Sequence, residues 1–136
     1  MIFAPKRGGM NNTGLDRLIR KIGANVSGEP GYWQFDAHDC DMLCITDEVH
    51  DRMRVMTPVA TMSELSPEQV VACLEANFDR ALDARYCLRE GVLWGAFIHP
   101  LNALTDELFE SAVRQVAGVR KNFGDSYSSG ELVFQG

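Results

Sequence analysis

The chain is expected to fold as an α+β domain: one mostly antiparallel, five-stranded sheet packed against helices. Three observations predict this. Residues 66–80 and 105–123 read as well-capped amphipathic helices. Between them, residues 84–98 read as a hairpin. Its second strand, Val92–Ile98, is apolar on both faces, so it needs cover on two sides rather than one. The expected order is helix, three strands, helix, two strands, helix.

Residues 1–12 read as a flexible N-terminal arm and residues 13–123 as the single domain. Thr13 opens the first helix, with Asp16 at capping-box spacing. Leu15, Leu18, Ile19 and Ile22 recur at helical spacing on one face, Asp16, Arg17, Arg20 and Lys21 fill the other, and Gly23 ends the helix. Ser27–Gly31 is a turn cluster. Tyr32–Asp36 is short, aromatic and extended. Residues 37–41 turn the chain, and Met42–Thr46 is the second strand. Arg52–Thr57 is the third, with Met53, Val55 and Thr57 on one side and Arg52, Arg54 and Met56 on a wetter one. Pro58 makes that strand an edge or ends its pairing.

The next helix carries the strongest start signal in the chain. Ser66 is the N-cap, Pro67 the first helical residue, Gln69 completes a capping box, and Leu65 and Val70 are placed as a hydrophobic staple. Its apolar face is Val70, Val71, Leu74, Phe78 and Ala81. After the hairpin, which turns at Arg89–Gly91, Thr105 caps the last helix. Asp106 and Glu107 load its first turn, Arg120 and Lys121 its last. Leu108, Phe109, Ala112, Val113, Val116, Ala117 and Phe123 form its buried stripe. Residues 124–136 are a tail whose end, Glu-Leu-Val-Phe-Gln-Gly, resembles an engineered protease site.

The 136 residues suit one domain, and 46% hydrophobic with 24% charged residues is ordinary globular usage. A net charge of −6 argues against general nucleic-acid binding and against docking on anionic lipid. Cys40, Cys44, Cys73 and Cys87 make no compact disulfide framework and read as reduced thiols of a cytoplasmic protein. The N-terminal apolar run is too short, and on the wrong side of its charges, for a signal peptide. No stretch approaches the ~20 apolar residues of a membrane span.

Candidate chemistry is sparse. Asp36–Asp41 with Cys44 is the densest polar cluster. A small metal- or thiol-dependent enzyme would use His38, Cys40 and Cys44, but that spacing matches no ligand grammar, and Cys40, expected to be exposed, lacks a third group to orient His38 as its base. The other reading is two solvated turns with Cys44 packed in a strand. No nucleophile elbow, phosphate loop or zinc-protease motif is present, so no catalytic residue, metal or cofactor is assigned. Gly95, between Leu93 and Phe97, permits close backbone approach on one face of its strand. Val92, Trp94, Ala96 and Ile98 occupy the other. An apolar patch of that size points to a second chain.

The segments Leu15–Gly23, Val70–Phe78 and Tyr86–Trp94, in this order and on a small acidic chain, resemble the type III secretion chaperones and the related YbjN-like proteins. The resemblance runs from about Leu15 to Phe123. It implies a non-enzymatic homodimer formed around the second helix and adjoining strands, with Leu74, Phe78, Trp94 and Phe97 in the interface. It also implies capture of an extended segment of a partner protein, a client or effector, in a groove of Leu18, Ile22, Trp33 and Met53. A YbjN-like regulatory or adaptor protein would keep the dimer without a disordered client.

Overall fold

The computed structural model describes residues 9–130. The first eight and last six residues, including most of the expected arm and the protease-site-like end, lie outside the described residues. The order of elements is α1 (Asn12–Ile22), β1 (Ala24–Glu29), β2 (Tyr32–Ala37), β3 (Cys40–Asp47), β4 (Arg52–Thr61), α2 (Pro67–Asp79), β5 (Arg85–Arg89), β6 (Val92–His99) and α3 (Asp106–Lys121), with a short 3-10 turn at Met62–Glu64. The α+β class stands, and the sheet is antiparallel throughout. It has six strands, in the order β1-β2-β3-β4-β6-β5.

The additional strand is β1, whose second half, from Ser27 to Glu29, falls in the predicted turn cluster. It is an edge strand exposed along almost its whole length, so no apolar alternation marks it. Asn25 and Gly28 both adopt positive φ, and its pairing to β2 is interrupted between Ala24 and Ser27. At Gly28 (φ +94°) a Cβ would collide with the Tyr32 carbonyl. A glycine that reads as a loop breaker is thus what lets β1 lie close against β2.

Helix α1 starts earlier than expected. Asn11, not Thr13, is its N-cap, accepting from the Gly14 N–H at 2.9 Å. The α2 capping box is as read: Gln69 N–H donates to Ser66 Oγ at 3.2 Å, and Ser66 N–H donates to Gln69 Oε1 at 2.9 Å. Thr105 caps α3 by accepting from Leu108 N–H. Pro58 lies within β4 rather than at its end. Pairing with β3 stops at Leu43–Met56, and the register with β6 slips between Pro58 and Ala60, so the missing N–H falls where one ladder has ended and the other is irregular.

All three helices leave one face of the sheet uncovered. The covered face carries the row Trp33–Cys44–Val55–Phe97, one residue from each of four strands, all buried. Leu15, Leu18 and Ile19 of α1 and Phe109, Val113, Val116 and Val119 of α3 complete that core. Gly95 explains how closely α3 sits: a Cβ there would stand 2.8 Å from Val119 Cγ1 and 3.3 Å from the Val116 carbonyl. The covered side of β6 is therefore Leu93, Gly95 and Phe97, and the Trp94 side is free.

Candidate functional site

Two apolar surfaces remain open among the described residues, one on α2 and one on the sheet. The first arises from how α2 is seated. Its inward residues are small, Cys73 and Ala76, at 3% and 1% exposure. Its large apolar residues point out: Val71 is 53% exposed, Leu74 64% and Phe78 87%. The spacing i, i+3, i+7 makes them one stripe. The spacing that predicts an apolar face is thus correct, but the face is turned away from its own core. Leaving it in water forgoes on the order of 3 kcal/mol of burial.

The seat is held by polar contacts. Asn77 Nδ2 donates to the Tyr86 carbonyl at 3.0 Å, while Tyr86 N–H donates to Asn77 Oδ1 at 2.8 Å. One side-chain amide thus pairs with a backbone unit on the outer edge of β5, as a neighbouring strand would. Tyr86 itself is buried, its hydroxyl donating to the Val119 carbonyl at 2.8 Å. Burial pushes its phenol upward. The described part of the tail closes this corner. Ser129 N–H donates to the Arg80 carbonyl at the end of α2, and Leu82 N–H donates to Ser129 Oγ at 2.6 Å. Tyr127 and Phe123 pack edge-on against Tyr86.

The second surface is the uncovered sheet face. Its rows, read across strands, are Tyr32–Ile45–Arg54–Ile98, then Gln34–Leu43–Met56–Ala96–Arg85, then Pro58–Trp94–Cys87. Tyr32 and Ile98 are 48% and 56% exposed. An open cleft of about 690 Å³ lies at one end, lined by Ile45, Thr46, Asp47, Glu48, His50, Arg52 and Arg54. A second, of about 380 Å³, includes Gln34, Asp36, Asp41, Leu43, Pro58 and Trp94.

The expected site residues divide between core and surface. Leu74 and Phe78 lie on the open α2 stripe, and Trp94 is half-buried on the uncovered sheet face. Phe97 is instead on the covered face at 3% exposure, packed in the core and unavailable to a second chain. The expected groove also dissolves. Leu18, Trp33 and Met53 are 5%, 0% and 0% exposed, because all three point between α1 or α3 and the sheet. Trp33 is satisfied internally, its Nε1–H donating to Asp16 Oδ1 at 2.9 Å. That bond, with Arg20 beside it, holds the Asp16 carboxyl below its usual range. Ile22 alone of the four reaches the surface, in an open pocket of about 620 Å³ with Gly23, Ala24 and the β2–β3 turn.

The His38, Cys40 and Cys44 cluster does not assemble into a reactive site. His38 is exposed in the β2–β3 turn, where it and Asp39 take positive φ. Cys40, expected at the surface, is 4% exposed, and Cys44, four residues further along the same strand on the covered face, is fully buried. Loss of solvation pushes both thiols up, away from the thiolate that attack or ligation requires. Among the described residues, no three His, Cys, Asp or Glu side chains come together as a metal site. No helix among them is long and apolar enough to cross a membrane.

Sequence reasoning missed Arg54 and Asn77 as site residues. Arg54 stood out only as a polar alternate on a strand, and Asn77 as one polar residue of a helix. Neither carries a signal that outlives the loss of tertiary context.

No protein-family profile matches the chain, and no curated protein matches it. In shape it is similar to a chain of the HopA1-SchA chaperone-effector complex, with a TM-score of 0.60 over 82% of this chain and 90% of that one, at 12% sequence identity. At that identity the likeness speaks for the fold alone, and the fold agrees with the chaperone-like architecture that the sequence resemblance implies.

Proposed function

We propose that this protein is a non-enzymatic, homodimeric binding module of the secretion-chaperone type. In this reading it self-associates through α2 and captures an extended segment of a partner protein. The observation that carries the reading is the outward stripe of Val71, Leu74 and Phe78 on a helix whose seat is otherwise fully specified. A helix with small residues inside and large apolar residues outside is built for a second surface, because such stripes are seldom left in water. The chaperone-like fold supports the same class of task. The dimer interface proposed here keeps Leu74 and Phe78, adds Val71 and releases Phe97. Trp94 belongs to the partner-binding face. The buried thiols leave no support for a thiol- or metal-dependent reaction at His38, Cys40 and Cys44.

Light scattering at micromolar concentration tests self-association. Twice the mass of one chain is expected for the natural sequence. Phe78→Asp and Leu74→Asp should each return it to a single chain without unfolding it, since both side chains are exposed. A natural protein that remains monomeric overturns the α2 interface.

A further inference from the structure

We infer that the uncovered sheet face reads an extended partner segment carrying a carboxylate, with apolar side chains at two-residue intervals beyond it, and that Arg54 takes the carboxylate. This inference rests on the protein-binding reading above and specifies the chemistry of the partner.

Arg54 lies mid-row between Ile45 on β3 and Ile98 on β6. The charged groups around it are largely engaged by their own chain. Asp47 accepts from His50 N–H at 3.1 Å and pairs with His50 Nδ1 at 2.8 Å. Glu48 Oε2 accepts from Asn12 N–H at 3.2 Å. Arg52 donates to the Asp51 carbonyl at 2.9 Å. The Arg54 guanidinium has no hydrogen-bond or ion-pair partner among the described residues, although the protein as a whole is acidic. An exposed guanidinium flanked by isoleucines is well matched to a carboxylate arriving with apolar neighbours. The partner's side chains would cover Ile45 and Ile98, and the lower local dielectric would strengthen the pair.

The spacing follows from the strand. Along the open side of β4 the order is Arg54, Met56, Pro58, with Leu43 beside Met56 and Trp94 beside Pro58. Alternate residues of a strand are about 6.7 Å apart, and an extended peptide repeats at the same interval. A segment lying along β4 with an acidic residue over Arg54 therefore places its next two alternate side chains over Met56 and Leu43, then over Pro58 and Trp94. The predicted partner pattern is acidic, any, apolar, any, apolar.

The test uses a short synthetic peptide in which glutamate, leucine and valine alternate with threonine, and a control with lysine in place of glutamate. Binding to the full chain is followed by the Trp94 indole resonance in a nitrogen-edited NMR spectrum. The glutamate peptide is expected to bind at least about tenfold more tightly than the lysine peptide. Arg54→Gln should abolish the difference, and Arg54→Glu should invert it. A preference that survives Arg54→Glu, or binding with no preference in the natural protein, overturns the role of Arg54 while leaving protein binding standing. No binding by either peptide overturns the proposal, and the α2 interface is then judged by its own mass measurement. A change of oligomeric state on Arg54→Glu also overturns it, by showing that a second copy occupies the face.

Discussion

Asn77 pairs with both backbone groups of Tyr86, donating to its carbonyl at 3.0 Å and accepting from its N–H at 2.8 Å. That one amide joins α2 to the outer edge of the sheet. It shields the centre of β5 from pairing with another strand, and it sets the rotation of α2 about its axis. With Cys73 and Ala76 turned inward, Val71, Leu74 and Phe78 meet no surface among the described residues. The exposed stripe and the closed edge both go with this seating of α2, to which the Asn77 amide contributes beside the small inward residues Cys73 and Ala76.

Asn77→Ala should therefore cost about 1–3 kcal/mol, since it leaves the Tyr86 N–H and carbonyl without their partner in a half-buried corner. Urea unfolding gives the magnitude, and amide exchange at Tyr86 gives the place. A loss confined to a few tenths would mean that water replaces the amide there without cost.

The two sides of α2 should respond oppositely to substitution. Ala76→Leu overpacks a site at 1% exposure and should destabilise the fold by about 1–3 kcal/mol. Phe78→Ser, at 87% exposure, should leave the stability of the single chain within about 0.5 kcal/mol. If two α2 stripes meet, Glu68, Glu75 and Asp79 border the contact with no base between Pro67 and Asp79. Self-association should then tighten as salt rises to about 0.5 M, which sedimentation measures directly.

Gly95→Ala tests the approach of α3 to the sheet. The added methyl would stand 2.8 Å from Val119 Cγ1, so α3 must shift or Val119 must turn. A loss of about 1–3 kcal/mol is expected. Combining it with Val119→Ala should recover part of the loss, a coupling that a double-mutant cycle reads out.

The acid limb of stability should involve Asp16. Its carboxyl accepts from Trp33 Nε1–H and pairs with Arg20 at 3.1 Å, so its folded pKa lies below the unfolded value. A depressed carboxyl stabilises the fold above the unfolded pKa of about 3.9, and that contribution disappears as pH falls through the folded value. Asp16→Asn should be less stable than the natural protein at neutral pH, and the gap should narrow below about pH 4. A gap independent of pH would assign the effect to the hydrogen bond rather than the charge.

Thiol reactivity should rank by burial. Cys87 is half-exposed on the uncovered sheet face, whereas Cys40, Cys44 and Cys73 are buried. Desolvation raises the Cys73 thiol to about 11 and Cys44 further. A disulfide reagent at mildly alkaline pH should modify Cys87 first and the other three only as the protein opens. Rapid labelling of Cys40 in the folded protein would revive the thiol reading of the β2–β3 turn.

Much of the fold is written in local patterns. Ser66, Pro67 and Gln69 announce α2 because capping chemistry needs only neighbours three residues away. Glu90 and Gly91, both at positive φ, turn the β5–β6 hairpin where the sequence places a turn. β1 was not legible: an exposed, bulged edge strand has no periodicity to read, and its glycine argues for a loop. Which way α2 faces was not legible either. Val71, Leu74 and Phe78 at helical spacing state that a face is apolar, and the same spacing serves a core or an interface.

The candidate surfaces show the same division. Alternation along β2, β4 and β6 determined by itself which residues share a side: Trp33 with Phe35, Met53 with Val55, Leu93 with Phe97. It could not say which side the helices would cover, because an apolar strand face looks the same under α3 as under a partner. The family resemblance implies surface roles for Leu18, Trp33, Met53 and Phe97, and tertiary packing places all four in the core. The decision was steric and polar. Gly95 admits α3 to one side of β6 only, and Asn77 turns the α2 stripe outward. Both act between residues on different elements, beyond the reach of the three- or four-residue spacing that sequence periodicity reads.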